Sequence, residues 1–199
     1  MESPGVDAGV AWMLEQLWAP IVAVTTEHNG RANGLISSTV LTASLLPEEP
    51  RVAVQLSKTN LTHELVLGSG AFAAHLLPAA GDVGLELFRA LGLRSGRGGD
   101  KLHAFETRAG VTGSPILAGA VAYLEARITA TLDADDMTMV LADVVAGARL
   151  KDEGFLTIEH VRERLPAEWL TEWERRYEEE VRAARRLRAN SAGRESRVF

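Results

Sequence analysis

Residues 21–46, IVAVTTEHNGRANGLISSTVLTASLL, constrain the fold most, because they predict two antiparallel neighbouring strands. The break between the strands falls at His28-Asn29-Gly30, and an Asn-Gly pair readily adopts the positive φ angles of a tight hairpin turn. The whole chain predicts six or more strands with few helices between them. This order favours an antiparallel barrel or an α+β domain over a doubly wound parallel sheet.

The rest of the chain up to residue 150 predicts short helices between further strands. Apolar periodicity and Gly or Pro stops place three helices at 6–17, 61–67 and 83–91, and four strands at 51–57, 71–77, 120–132 and 138–150. The Gly/Arg-rich segment LRSGRGGDK, residues 93–101, is expected to be a mobile loop.

From Leu165 onward the pattern predicts one long amphipathic helix that ends near Asn190. Its apolar stripe, with steps of three and four, comprises Leu165, Trp169, Trp173, Tyr177, Val181, Ala184 and Leu187. Aromatic residues are favoured in interface cores, so packing on the helix's own domain and packing across a dimer both stay open. We expect a domain over 1–155, a helical extension over 156–190 and a disordered tail over 191–199.

Composition excludes several classes of function. The net charge of −6 argues against nucleic-acid binding, and the absence of cysteine excludes disulfides and thiolate chemistry. The N-terminus has no basic region followed by an apolar one, and every apolar run is far shorter than the roughly 20 residues that span a bilayer. We therefore expect a cytoplasmic protein with no nucleic-acid or membrane partner.

No catalytic side chain or metal site stands out in the sequence. The five histidines lack the spacing of a metal motif, and no serine lies in a nucleophile elbow. If the chain is an enzyme, its chemistry is expected to belong to a cofactor, which the protein binds and orients.

The segment LSKTNLTHEL predicts an anion site at the start of a helix. Ser57, Lys58, Thr59, Asn60 and Thr62 crowd this start, where free amides and the helix dipole favour negative charge. Hydroxyl and ammonium donors suit a phosphate. The alternative is that Asn60 merely caps the helix.

A second candidate is the run of hydroxyls in ISSTVLTAS. Strand alternation puts Ser38, Thr42 and Ser44 on one face, and Ser37 and Thr39 on the other. Such a strand is either solvated on its polar face or forms a polar wall against a bound heterocycle or polyol. The preceding pair Asn33-Gly34 lies past the turn, where glycine allows the backbone to approach a flat ligand closely.

These motifs occur in an order that resembles the flavin reductase-like, FMN-binding split-barrel family. The order is a VTT…G..NG hairpin, a Ser/Thr-rich strand, a proline loop, V.V..S….T.EL and then SGAF, followed by DKL and TGSPILAGAVAYLEARI. The family includes flavoredoxin-type proteins and the small reductase components of two-component monooxygenases. The resemblance covers about residues 15–150, and the helix from Leu165 lies outside it.

The resemblance implies a mainly β fold: a split β-barrel of six or seven strands with flanking helices, forming a homodimer with flavin near the interface. By position, it implies that the isoalloxazine and ribityl chain are lined by Asn33, Gly34, Leu35, Ile36, Ser37 and Ser38. It assigns the phosphate to Ser57 and Thr62. Lys58, Thr59 and Asn60 fall where the family often has a basic residue, and only Lys58 keeps that charge.

Two positions depart from the family pattern. His75 stands where the family often has Asn. Asp135, Asp136 and Met137 replace the Gly-Asp-His that reductase members often carry and that is associated with the nicotinamide partner. The loss of that histidine argues against NAD(P)H-dependent turnover and leaves flavin binding largely untouched.

The resemblance therefore implies an FMN-binding, NAD(P)H-dependent flavin reductase that supplies reduced flavin to a partner oxygenase, with FAD as a further possible cofactor. The residues in place of Gly-Asp-His keep an alternative open, which is an electron-carrying flavoprotein reduced by a protein partner. A third option is a relative that uses the same barrel for another ligand such as haem.

Overall fold

The structure, a computed structural model, describes residues 20–195. Its nine strands in the described chain are β1 Val22–His28, β2 Arg31–Ser37, β3 Val40–Thr42, β4 Arg51–Ser57, β5 Ala71–Leu76, β6 Thr107–Ala109, β7 Pro115–Leu117, β8 Ala122–Ala134 and β9 Met137–Arg149. Its helices are α1 Leu61–Ser69, α2 Val83–Phe88, which continues into a π-helical turn Arg89–Leu93, α3 Ile158–Arg164 and α4 Ala167–Glu195.

Seven strands form one antiparallel sheet in the order β2-β1-β5-β8-β9-β4-β3. Laid flat, β2 and β3 would be about 29 Å apart, because neighbouring strands are spaced by about 4.8 Å. Yet only Ser38 and Thr39 connect them, and such a link spans at most roughly 11 Å. The sheet must therefore curl until its two edges meet. Thr39 marks the meeting point, since its Oγ1 accepts from the backbone N–H of Gln55 in β4 at 3.3 Å.

The curled sheet separates two apolar cores. Inside the curl lie Val22, Val24, Leu35, Val52, Val54, Leu56, Val66, Phe72, Ala74, Ala126, Val140 and Ala142. The alternate residues of β1, such as Ala23, face outward and join a second core made with α2, the π-helical turn and α3. This is the expected mainly β fold, a curled half-barrel with flanking helices, and it confirms the predicted fold class.

The predicted hairpin is confirmed. Strands β1 and β2 pair along their whole length, from Val22 with Ser37 to His28 with Arg31. Asn29 and Gly30 have φ angles of 54° and 75°, so both turn residues take the left-handed conformation that the Asn-Gly pair predicts.

Three sequence-based boundaries need correction. The second predicted strand breaks after Ser37, and its continuation is β3 at the opposite end of the strand order. Helix α3 was not expected, and Pro166 separates it from α4, which therefore begins at Ala167 rather than at Leu165. Helix α4 runs to Glu195, beyond the end predicted near Asn190.

Other predictions on the ends of the chain are only partly covered by the structure. The first predicted helix, residues 6–17, and residues 196–199 lie outside the described residues. The division into a domain, an extension and a tail stays a prediction, although residues 191–195 of the predicted tail are helical.

His75 joins three strands from a fully buried position. Its Nδ1–H donates to the carbonyl of Ala23 in β1 at 3.2 Å, and its Nε2 accepts from the backbone N–H of Leu117 in β7 at 3.2 Å. Both bonds require the neutral ring. Burial lowers the pKa of His75 to about 4 from an ordinary 6.5, so the folded protein keeps this ring neutral. In this structure His75 is a packing residue of the sheet.

We predict that His75→Asn flattens the pH dependence of stability on the acid side. In the unfolded chain the His75 ring has the ordinary pKa of 6.5 and binds a proton below that pH, whereas in the folded chain it stays neutral down to about pH 4. The free energy of unfolding therefore decreases as the pH falls through this window. From pH 7 to pH 5 this costs the wild type about 2 kcal/mol that the variant does not lose. Urea unfolding at both pH values measures the difference, and equal losses in the two proteins would contradict it.

Candidate functional site

Helix α4 packs on its own chain through its first turns. The ring of Trp173 meets Phe88 edge-on at 5.6 Å, and the guanidinium of Arg89 lies 4.3 Å from the centre of the Trp169 ring. Trp169, Leu170 and Trp173 pack on the outer apolar core. The first of the two packing alternatives is thus realised in the structure. Tyr177, which was assigned to the same apolar stripe, is 66% exposed.

Beyond these aromatic residues, α4 covers a groove. The groove has three adjoining parts of about 180, 190 and 410 Å³. Asn60, Arg176 and Glu180 line both the first part and the second. Thr59, Arg97 and Ala183 line both the second part and the third. We call this continuous space between α4, β2, the start of α1 and loop 93–101 the α4 groove.

Most residues assigned to a flavin site by resemblance lie in this groove. The structure brings together Asn33, Leu35, Ile36, Ser38, Lys58, Thr59 and Asn60 along its wall. Gly34, Ser37, Ser57 and Thr62 do not line it. Segments that are about twenty residues apart in sequence therefore meet because β2 and the start of α1 lie at the same end of the curled sheet.

Asn33 is the polar centre of the groove. It is 2% exposed, and its Nδ2 donates to Thr62 Oγ1 at 3.1 Å, which joins β2 to α1. Its Oδ1 is buried and has no hydrogen-bond partner among residues 20–195. A buried acceptor without a partner costs about 1–3 kcal/mol, so this oxygen is the atom that a ligand donor would satisfy.

Gly34, Ser37 and Ser57 serve the local backbone. A Cβ on Gly34 would lie 3.0 Å from the Val24 carbonyl oxygen and 3.1 Å from Leu91 Cδ2, so the close approach there is made by the protein itself. Ser37 Oγ accepts from the N–H of Thr39 at 3.1 Å. Ser57 Oγ accepts from the N–H of Thr59 at 3.3 Å. These bonds shape the two turns that border the groove, and roles toward a flavin stay predictions.

The start of α1 faces the groove without a side-chain cap. Asn60 occupies the N-cap position with extended backbone, but its side chain makes no capping hydrogen bond. The alternative in which Asn60 merely caps the helix is therefore not what the structure shows. Its amide and the positive end of the α1 dipole are both available to a ligand in the groove.

Charged side chains that the sequence did not single out complete the second part of the groove, and Lys101, Arg176 and Glu180 are the most buried of them. Lys101 is 8% exposed, and its Nζ donates to the carbonyls of Leu91 at 2.8 Å and Arg94 at 3.2 Å. Burial lowers the pKa of Lys101 to about 8. Arg176 and Glu180 come from α4, and burial raises the pKa of the Glu180 carboxyl group.

Only some of these groove residues could have been identified from the sequence. Arg176 and Glu180 stand off the apolar stripe of α4, but the pattern does not tell a groove-facing charge from a solvated one. Arg176 pairs with Glu179 and Glu180. The burial of Lys101 arises from the folding of the glycine-rich loop.

The β8–β9 turn, which holds Asp135 and Asp136 and leads into Met137, borders the same region. Met137 pairs with Ser57 across the sheet, and Lys58 Nζ lies 2.5 Å from Asp133 Oδ1. Arg188 of α4 donates from Nε to Asp136 Oδ1 at 2.7 Å. The turn is thus held against both the start of α1 and the far half of α4.

His63, in the first turn of α1, contacts β9 just after the β8–β9 turn. Its Nε2 lies 2.8 Å from Thr138 Oγ1, and its Nδ1 is buried without a partner in the described chain. Burial, together with the charge of Lys58, lowers the pKa of His63. A neutral imidazole ring therefore lies in the first turn of α1, against Thr138, which follows Met137.

Comparison with known proteins identifies the family. The flavin reductase like domain profile matches residues 14–169, so the chain belongs to the flavin reductase-like family, which confirms the resemblance. A ferric-chelate reductase (NAD(P)H) from Archaeoglobus fulgidus is 34% identical over 135 residues, which cover 67% of this chain and 78% of that protein. A high molecular weight rubredoxin from Moorella thermoacetica is 32% identical over 69% of this chain, which spans 58% of that longer protein.

A solved structure supports the fold assignment. The FMN-binding protein from Thermus thermophilus, solved with bound 1-cyclohex-2-enone, superposes with a TM-score of 0.63 at 25% identity. The match covers 75% of this chain and 81% of that one. Within residues 20–195, no helix combines the length and apolar character needed to span a bilayer.

We predict that Gly96→Ala destabilises the protein, whereas Gly99→Ala in the same loop does not. A Cβ on Gly96 would overlap the side-chain amide of Asn33, while one on Gly99 would meet nothing within 4 Å. Because Asn33 is buried and bonded to Thr62, overpacking there should lower the free energy of unfolding by about 1–3 kcal/mol. Urea unfolding of both variants is the measurement. Equal stability of the two variants would show that the Asn33 side chain moves aside without lowering the free energy of unfolding.

Proposed function

We propose that the chain binds FMN in the α4 groove and acts as an NAD(P)H-dependent flavin reductase that supplies reduced flavin to a partner oxygenase. FAD is the second candidate flavin. The family assignment supports flavin chemistry, and the NAD(P)H named for the Archaeoglobus relative supports a nicotinamide donor.

The observation that carries the proposal is the buried Asn33 Oδ1 without a partner among residues 20–195. It lies in a groove that also offers the apolar side chains of Leu35 and Ile36, the uncapped start of α1 and the cation of Lys101. A flavin presents an apolar ring system with polar edges, a hydroxylated chain and a phosphate. The chemistry of the groove residues fits each of these parts.

The protein's share of the reaction is binding, orientation and exclusion of water. The flavin itself supplies the hydride-accepting ring when bound. Asn33 offers an acceptor, the start of α1 and Lys58 favour an anionic group, and α4 shields the groove from solvent. Such positioning is the main contribution that a protein makes to hydride transfer between two bound partners.

A second candidate function is electron carriage without NAD(P)H, and the β8–β9 turn favours it. Met137 cannot offer the hydrogen bonds of the histidine that reductase members often carry. Asp136 is already bonded to Arg188 of α4. Reduction of the flavin by a protein partner would require no hydrogen bond from Met137 or Asp136.

A cytoplasmic homodimer is part of the proposal. Leu41, Leu45 and Leu46 are 58%, 99% and 50% exposed and follow one another beside the sheet edge. An apolar cavity of about 250 Å³, lined among others by Val40, Leu41 and Tyr123, lies next to them. Exposed leucines beside an apolar cavity support association with a second copy.

Spectroscopy of the purified protein tests the function. We expect FMN to bind with a perturbed visible spectrum, and NADH or NADPH to bleach the visible flavin band under anaerobic conditions at a rate above that of free flavin. Bound flavin that NADH and NADPH both leave oxidised would favour electron carriage. Protein that binds no flavin would contradict both candidates.

We predict that Ser57→Ala combined with Thr62→Ala weakens FMN binding by about 1–3 kcal/mol, because Ser57 shapes the turn that carries Thr59 and Thr62 holds the side chain of Asn33. Thr42→Ala is the control, since Thr42 is exposed on the edge strand β3, away from the groove. Titration of flavin fluorescence gives both affinities. An unchanged affinity in the double variant would show that these two hydroxyl bonds do not order the flavin site.

A further inference from the structure

Helix α4 presents two different faces to the domain along its length. Its first turns bury Trp169 and Trp173 against the outer core. From Arg176 on, the residues that face the domain line the groove instead, and these are Arg176, Glu179, Glu180, Ala183, Arg186 and Leu187. The matched family domain ends at residue 169, so this half of α4 is a feature of the chain beyond that domain.

Arg176 is the residue of α4 with the least satisfied side chain in the groove. Its side chain is 22% exposed, and its Nε is buried without a hydrogen-bond partner among residues 20–195. Its contacts with Glu179 and Glu180 are long, at 3.5 and 4.0 Å. Arg89 also has a buried Nε without a partner in that part of the chain, but its guanidinium is stacked on Trp169.

Arg176 and Asn33 leave complementary atoms in one cavity. Both line the second part of the groove, where Asn33 Oδ1 needs a donor and Arg176 Nε needs an acceptor. A ligand with both a donor and an acceptor satisfies both, and a flavin has several of each.

The charges around Arg176 favour an electron-rich group. Three cations, Arg97, Lys101 and Arg176, line the second part of the groove together with two carboxyl groups, Glu179 and Glu180. Arg97 also pairs with Glu64, and burial raises the pKa of the Glu180 carboxyl group. A carbonyl or phosphate oxygen of a ligand would therefore find cationic donors in this part of the groove.

The far half of α4 is also tied down across the groove. Arg188 bonds to Asp136 in the β8–β9 turn, on the opposite side of the groove from Trp173. The helix is thus held at both ends, with Arg176 between the two attachments.

We propose that α4 forms the outer wall of the flavin site and that Arg176 is a flavin-binding residue, donating from Nε to an oxygen of the ligand. This inference rests on the proposed function. It adds to the site a segment that the matched family domain does not contain.

The first test compares Arg176→Ala with Arg182→Ala. Arg182 lies on the same helix, is 55% exposed and pairs with Glu178, and neither residue lines the groove, so its variant removes the same charge without touching the groove. We expect Arg176→Ala to raise the Kd for FMN at least about tenfold, as for loss of a charged hydrogen-bond donor. Arg182→Ala should stay within about twofold. Equal affinities in the two variants, with melting temperatures near that of the wild type, would overturn the proposal.

The second test does not depend on the folding of an Arg176 variant. Because the chain has no cysteine, Ala183→Cys and Ala189→Cys each introduce a single thiol. Ala183 lines the groove, whereas Ala189 is exposed on the same helix. Saturating FMN should slow maleimide labelling of the first thiol several-fold and leave the second unchanged.

The outcomes separate this inference from the proposed function. An unchanged or faster rate at position 183, in protein that binds FMN, overturns the role of α4 alone. A wild type that binds neither FMN nor FAD overturns both the flavin site and its wall.

Discussion

The short link Ser38-Thr39 is the constraint on which the architecture depends. It joins β2 and β3, which are the first and last strands of the seven-stranded sheet, and two residues can span that distance only if the sheet curls. Curling gives the sheet an enclosed apolar interior and leaves its outer face for the helices. It also places the end of β2 next to the end of β4, from which α1 starts. The candidate site lies at that junction.

Polar groups at the junction are satisfied unevenly. Ser37 and Ser57 complete their bonds within their own turns, and Thr62 accepts from Asn33. Four buried side-chain atoms are left without a partner among residues 20–195, and two of them, Asn33 Oδ1 and Arg176 Nε, belong to residues that line the groove. Buried groups of this kind lower stability, and natural proteins retain few of them outside functional positions. Their presence in one cavity therefore argues for a ligand site more strongly than the volume of the cavity does.

Local signals account for the parts of the fold that the sequence predicted. The Asn29-Gly30 turn is encoded by two residues, and its hairpin follows from the alternation beside it. No local signal marks the break at Ser38. Thr39, Val40 and Leu41 continue the strand-like pattern of β2, although β3 pairs with β4 and no longer with β1. The curl was expected only through resemblance to a family. Helix α3 was missed because Thr157 and His160 form its capping box, and histidine is not a usual member of that motif.

The site was predicted only where chemistry and position agreed. The hydroxyl-rich start of α1 was found from its residues, and the structure places Thr59 and Asn60 in the groove. Lys101 was missed because its burial depends on a loop that carries no periodic signal. Arg176 was missed because a charged residue on an amphipathic helix normally faces water.

Helix α4 is attached to the domain at two places. A helix of 29 residues is about 43 Å long, far longer than its aromatic contact with the outer core. Beyond Trp173, ion pairs within the helix, such as Arg182 with Glu178, are exposed, and exposed pairs contribute little to stability. The pair of Arg188 with Asp136, whose side chain is 14% exposed, attaches the far half of the helix to the β8–β9 turn. The helix therefore spans the groove between an apolar attachment and a polar one, with Arg176 between them.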